Sequence, residues 1–104
     1  MDNKDRVLFY DSESTEPVYV LRLFVTGASP ASVRAINNIQ TILDEHLKDR
    51  YELEIIDVHQ QPELAQSEDI IAVPVLIKKF PGPRRCMVGN MSDTPRVLHG
   101  LDLL

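Results

Sequence analysis

From Val18 to Val25 the chain runs almost without polar interruption, as Val-Tyr-Val-Leu-Arg-Leu-Phe-Val. β-Branched and aromatic residues at this density predict a strand covered on both faces. Gly27 then permits a turn, Ser29 is a good N-cap and Pro30 suits the first position of a helix. Val33, Ile36, Ile39, Leu43 and Leu47 recur at helical spacing as one apolar stripe, with Asn37, Asn38, Gln40, Asp44 and Glu45 off it. A second strand is predicted over Tyr51 to Val58, alternating at first and then apolar. Strand, helix and strand over this length predict a right-handed βαβ unit with parallel strands.

Signals in the second half conflict. Gln61-Pro62-Glu63-Leu64-Ala65-Gln66 predicts a short helix opening at Pro62. Ile70 to Ile77 is apolar and β-branched, but Pro74 stands in its middle. Proline cannot donate to a strand ladder, so Pro74 marks a strand start or a turn. Pro81-Gly82-Pro83 is a rigid break, Arg84 to Val88 can form a further strand, and Gly89-Asn90 can accept positive φ. Thr94 reads as a cap and Pro95 as the first residue of a last helix. Its Val97, Leu98, Leu101 and Leu104 share a face, and Gly100 interrupts it. Conflict between local and global signals weakens the case for one unique packing. Pro74, Pro81, Pro83, Gly89 and Asn90 are therefore the candidate positions for a change of arrangement.

Length and composition narrow the class. At 104 residues the chain is long enough for one core, taken as residues 17–104, after a polar, mobile or loosely docked extension at 1–16. That extension has Val7-Leu8-Phe9-Tyr10 as its one apolar run. A net charge of -5 argues against non-specific nucleic-acid binding, which needs a basic field. No apolar run approaches the roughly 20 residues of a membrane span, and no basic-then-apolar leader is present, so a cytoplasmic location is expected.

Candidate chemistry is sparse. His46, His59 and His99 lack ligand spacing, and Asp57-Val58-His59 reads as polarity at a strand end, so no metal is expected. No Gly-x-x-x-x-Gly-Lys phosphate loop occurs, and no cofactor is expected. Glu52, Glu54, Glu68 and Asp69 lie in polar stretches and are expected to be solvated. Cys86 is the single cysteine, which excludes an internal disulfide or dithiol; it reads as a small apolar residue on a strand. Lys78, Lys79, Arg84 and Arg85 stand out, flanking Pro81-Gly82-Pro83. Four cations on a stiff loop could dock an acidic partner, or guard a sheet edge against unwanted pairing.

The strand, glycine turn and Pro-opened helix is where a thioredoxin-type enzyme carries its Cys-x-x-Cys. The tetrapeptide here is Ala28-Ser29-Pro30-Ala31, without sulfur, while Val73-Pro74-Val75-Leu76 matches that fold's Pro-containing loop. The frame of a redox enzyme without its thiols points to a binding protein with no catalytic residues. A single-cysteine redox enzyme using Cys86 is the enzymatic alternative.

Leu23-Phe24-Val25-Thr26-Gly27, Ser29-Pro30, Ser32-Val33-Arg34-Ala35, Ile56-Asp57-Val58, Pro62-Glu63-Leu64-Ala65, Pro74-Val75-Leu76, Val88-Gly89 and the terminal Gly100-Leu101-Asp102-Leu103-Leu104 together resemble the KaiB family. The resemblance implies a single-domain α/β protein of the thioredoxin-like superfamily. Its C-terminal half would be either in the family's resting arrangement (βαββααβ overall) or thioredoxin-like (βαβαββα). It also implies a non-enzymatic protein, resting as a tetramer or other homo-oligomer, that binds the ATPase KaiC as a monomer. In that state it would sequester KaiA or displace a sensor kinase with a similar N-terminal domain. Gln60 stands where cyanobacterial members carry Lys, Asn90 where they carry Asp, Cys86 where they carry a basic residue, and Pro81-Gly82-Pro83 replaces a triple proline. The sequence ends at Leu104, where the family continues into an acidic tail. Gln60, Lys78, Lys79, Arg84 and Arg85 are the candidate partner or oligomer contacts. These departures suit a divergent member, including a stress-response adaptor without a circadian role.

Overall fold

Strand β1 (Tyr19–Val25) lies inside a four-stranded sheet of order β2-β1-β3-β4, and the computed structural model describes residues 18–103 around it. The readings of residues 1–16 and of Leu104 fall outside the described residues. After β1 come α1 (Pro30–His46), β2 (Tyr51–Asp57), α2 (Pro62–Ser67), β3 (Val75–Phe80), β4 (Arg85–Val88) and α3 (Thr94–Gly100). The order is βαβαββα, the thioredoxin-like one of the two expected arrangements. β2 runs parallel to β1 as the βαβ reading requires, whereas β3 and β4 are antiparallel to their neighbours.

Alternation along β1 divides the core between the two faces of the sheet. Tyr19, Leu21, Leu23 and Val25 meet Ala35, Ile39, Ile42, Leu43 and Leu47 from α1 and its end, and Val97, Leu98 and Leu101 from α3 and its end. Phe24, with Ile56, Val75 and Ile77, faces the other way onto Leu64 and Ala65 of α2 and onto Val58, Ile70 and Val73. Each such side chain contributes about 1.5–3 kcal/mol on burial, so the larger cluster under α1 and α3 anchors the domain. The second face is covered along only part of its length: Val18 is exposed, and Val20 and Arg22 are half-buried. Coverage of β1 on both faces therefore holds only towards its C-terminal end.

Three further expectations need correction. Val33 is 43% exposed, because the buried stripe of α1 runs through Ser32, Ala35, Ile39, Ile42 and Leu43 instead. The last helix is capped by Asp93, whose carboxylate accepts from Arg96 N at 3.2 Å, so Thr94 is its first residue and Pro95 its second. Asp has the shorter, charged acceptor and wins the cap. Gly100 is the last residue of α3 and does not break it; a Cβ there would run into the Met87 thioether.

Around residue 90 the left-handed backbone falls on Gly89 (φ 126) and Met91 (φ 63), not on Asn90. Asn90 instead accepts from Asn38 Nδ2 at 2.9 Å through its carbonyl, and from Ser92 N at 3.1 Å through its side chain. The thioredoxin-like arrangement thus uses the conformational freedom of Gly89 itself. Gly89→Ala is expected to destabilise this arrangement by about 1 kcal/mol or more, measured as a lower midpoint in chemical denaturation followed by amide signals of β3 and β4.

Candidate functional site

Lys78 and Lys79 are neighbours on β3, an interior strand, so alternation sends their side chains to opposite faces of the sheet. The four-cation cluster is therefore split in two. Lys78 is fully buried, donates to the Pro81 carbonyl and meets Asp102 Oδ2 at 3.2 Å; Arg85 reaches Asp102 Oδ1 at 3.2 Å. Lys79 and Arg84 converge instead on Glu68, Lys79 on Oε2 and Arg84 on Oε1 at 3.2 Å. Arg22 of β1 adds a third cation, 3.1 Å from Glu68 Oε2, while its Nε reaches Glu54 at 3.1 Å. A free basic loop and a guarded sheet edge are both wrong for Lys78: it is an interior group held by its own C-terminal segment.

Glu68 was expected to be solvated and is 8% exposed. Its pKa is lowered, first by the hydrogen bond from Lys79, with burial opposing and Arg84 adding to the lowering. A carboxylate held ionised, with both oxygens engaged by cations, is a poor proton donor or acceptor near neutral pH. It binds α2 to β1, β3 and the start of β4. Asp102 does the same for α3. It lies just past the helix in the left-handed region (φ 62), where Asp is tolerated, and it turns its carboxylate to Lys78. No periodicity marks either residue. The available signal was charge balance, since a lysine within an apolar strand needs a carboxylate partner.

The opening of α1 carries hydroxyls. Ser29 is the N-cap and accepts from Ser32 N at 3.2 Å; the two Oγ atoms are 2.9 Å apart, and Ser32 Oγ accepts from Thr26 N at 3.0 Å. Ser29 and Ser32 hold the i, i+3 spacing of a Cys-x-x-Cys, one residue on from the Ala28–Ala31 frame. Pro74 is buried ahead of β3, after a cis Val73–Pro74 bond, and its carbonyl accepts from Gly89 N at 2.9 Å. Pro81 and Pro83 flank the β3–β4 turn. Cys86 is exposed on β4, against the apolar reading, beside Glu68, Ile71, Val75 and Arg84 in an open groove of about 410 Å³. Gln60 is exposed in the β2–α2 turn, far in register from the cations of β3. Asp57 Oδ1 accepts from His59 N at 2.9 Å, and no metal-binding group of three or more His, Cys, Asp or Glu occurs among the described residues.

The family model described as "KaiB domain" matches residues 22–103. The chain belongs to the KaiB family. It is similar to the circadian clock oscillator protein KaiB of Prochlorococcus marinus (strain MIT 9312), with 46% identity covering 83% of this chain and 82% of that protein. It is also similar to the circadian clock protein KaiB3 of a Synechocystis species, with 49% identity covering 82% and 83%. In fold it is similar to the N-terminal domain of Synechococcus elongatus SasA, with TM-score 0.69, 22% identity and coverage of 100% and 95%. It is likewise similar in fold to mitochondrial thioredoxin 3 of Saccharomyces cerevisiae, with TM-score 0.67, 13% identity and coverage of 85% and 81%. This KaiB-family chain has the fold of a thioredoxin with serines at the dithiol spacing.

Asp102→Asn keeps the left-handed backbone tolerable and removes the charge facing Lys78. It is expected to destabilise the domain by about 1–3 kcal/mol, below the full cost of breaking a buried pair because Asp102 is half in water; Glu54→Gln, at a more exposed pair, serves as the near-neutral control in the same thermal melts. Glu68→Gln has a pH signature. Because the folded pKa is depressed, its contribution is fully present above the ordinary carboxylate pKa near about 4.3 and is lost as pH falls below it. The variant is expected to be less stable than wild type at pH 7 and to approach it near pH 3 in denaturant titrations.

Proposed function

We propose that this KaiB-family protein is a non-enzymatic regulatory protein that binds a KaiC-type ATPase and modulates its cycle. The observation that carries the reading is the opening of α1, where Ala28-Ser29-Pro30-Ala31 has no thiol and Ser29 and Ser32 bond to each other, in a family of clock proteins. Serine hydroxyls cannot cycle between dithiol and disulfide, and Cys86 is on β4 with no second cysteine in the chain. The retained frame then serves as a surface.

Partner contacts are assigned to Gln60 and to the exposed portions of Lys79, Arg84 and Arg85, with Lys78 excluded by burial. The reading includes a resting homo-oligomer, tetramer or dimer, whose C-terminal half adopts the family's other arrangement, and a monomer in the thioredoxin-like arrangement that engages the ATPase. Pro74, Pro81, Pro83, Gly89 and Asn90 lie in the half that would rearrange. KaiA or a sensor kinase with a KaiB-like domain is the secondary partner, and the setting is cytoplasmic; no helix among the described residues is long and apolar enough to cross a membrane.

Size-exclusion chromatography of the full chain with a KaiC-type ATPase and ATP tests this. Co-elution is expected for wild type and equally for Cys86→Ser. Absence of co-elution over hours, or loss of binding in Cys86→Ser with its fold intact, overturns the proposal.

A further inference from the structure

Strand β4 is an outer strand of the sheet, and its free side is chemically open. Antiparallel pairing turns the main-chain N–H and C=O of alternate residues towards the neighbouring strand and those between them away from it. Gly89 N donates to Pro74 O at 2.9 Å, which sets the phase, so Met87 and Arg85 also face β3. Cys86 and Val88 therefore turn their N–H and C=O groups outward, where no hydrogen bond among the described residues uses them. Sheets commonly protect such a side with charge or proline. Here Arg84 and Arg85 are drawn onto Glu68 and Asp102, and the strand contains no proline.

Hollows lie beside this edge on both faces. Cys86 and Val88 stand opposite Ile77 and Val75, so their side chains lie on the face that carries α2. There the groove of about 410 Å³ is walled by Ile70, Ile71 and Ala72. Ile71 is 98% and Val88 59% exposed. On the α3 face a smaller hollow of about 200 Å³ is lined by Met87, Met91, Ser92 and Val97. Successive side chains of an added strand would alternate between the two.

We infer that β4 accepts an additional strand from a partner protein, an extended and uncharged segment with β-branched residues at alternate positions. Main-chain groups of Cys86 and Val88 supply the affinity, and the groove selects the side chains, as in other cases of strand addition to a sheet edge. The charges around the edge fit an uncharged occupant. Glu68 answers Arg84 together with Lys79, and Asp102 answers Arg85 together with Lys78. Asp69 lines the groove, while Asp93 and Arg96, of opposite sign, line the smaller hollow. Neither sign prevails, so a charged segment finds no complement, whereas an apolar one covers Val88 and Ile71. The inference does not rest on the ATPase reading.

NMR titration of the isotope-labelled full chain with the peptide acetyl-Ser-Val-Thr-Val-Ser-amide tests the assignment. Amides of Cys86 and Val88 are expected to shift at least about twofold more than those of Arg85 and Met87, which face β3. They are also expected to shift more than those of Leu53 and Ile55 on the opposite outer strand, β2. The same peptide with Ser in place of both Val is expected not to bind. Val88→Pro deletes an outward N–H where an edge strand tolerates proline, and Ile71→Asp puts a charge in the groove at a side chain that is 98% exposed. Each is expected to weaken binding at least about fivefold. No saturable shift up to about 10 mM peptide, equal shifts across these sets, or unchanged binding in Ile71→Asp overturns the inference. Shifts of Cys86 and Val88 on diluting the protein alone assign the edge to a second copy and overturn it too.

Discussion

Two adjacent lysines cross the middle of the sheet on β3, and a strand must send one to each face. Lys78 is fully buried and cannot reach solvent, so it requires a carboxylate delivered from outside the sheet. Lys79, on the other face, is partly in water and pairs with a carboxylate that is itself buried. Glu68 arrives just after α2 and Asp102 just after α3, so satisfying Lys79 and Lys78 also places the two helices of the C-terminal half. Apolar packing alone would leave their angle and depth loosely set, since hydrophobic contact is not directional.

The two halves of the domain consequently rest on different physics. From β1 to β2, a parallel ladder and the α1 stripe bury aliphatic side chains, and stability there depends little on salt or acid. From α2 onward, six-residue and seven-residue helices bury few side chains, and ionic contacts make up the difference. A buried ion pair adds modest net stability over an apolar replacement, yet breaking one side of it is costly. The C-terminal half is thus specified more sharply than it is stabilised.

That division explains what could be read from the chain. Elements with a single dominant signal were legible: the apolar run of β1, the Ser29-Pro30 opening of α1, the strand start at Pro74. Val33 was misplaced because two three-residue steps put it about 120° around the helix from Ile39, and Ser32 takes the inner face at that turn. Glu68 and Asp102 were invisible for a different reason. Each looks like any acidic residue until the fold brings it beside a lysine 11 or 24 positions away. Gly89 was marked as able to accept positive φ and does so, but Asn90, marked with it, does not; the residue that shares the bend is Met91, which no propensity rule selects.

Directional contacts fix the C-terminal half in one arrangement. Hydrophobic side chains exchange partners at little cost when volumes match, so an apolar C-terminal half could stay partly packed across several arrangements. Glu68 and Asp102 cannot. Their pairs need Lys78 and Lys79 alternating on one strand, Arg84 and Arg85 on the next, and Arg22 opposite on β1. If β3 shifts register by a single residue, Lys78 and Lys79 exchange faces and both carboxylates lose their partners together. Ionic pinning of this kind makes the thioredoxin-like arrangement cooperative between its two faces, so that α2 and α3 are held or released as one unit although they never share a core.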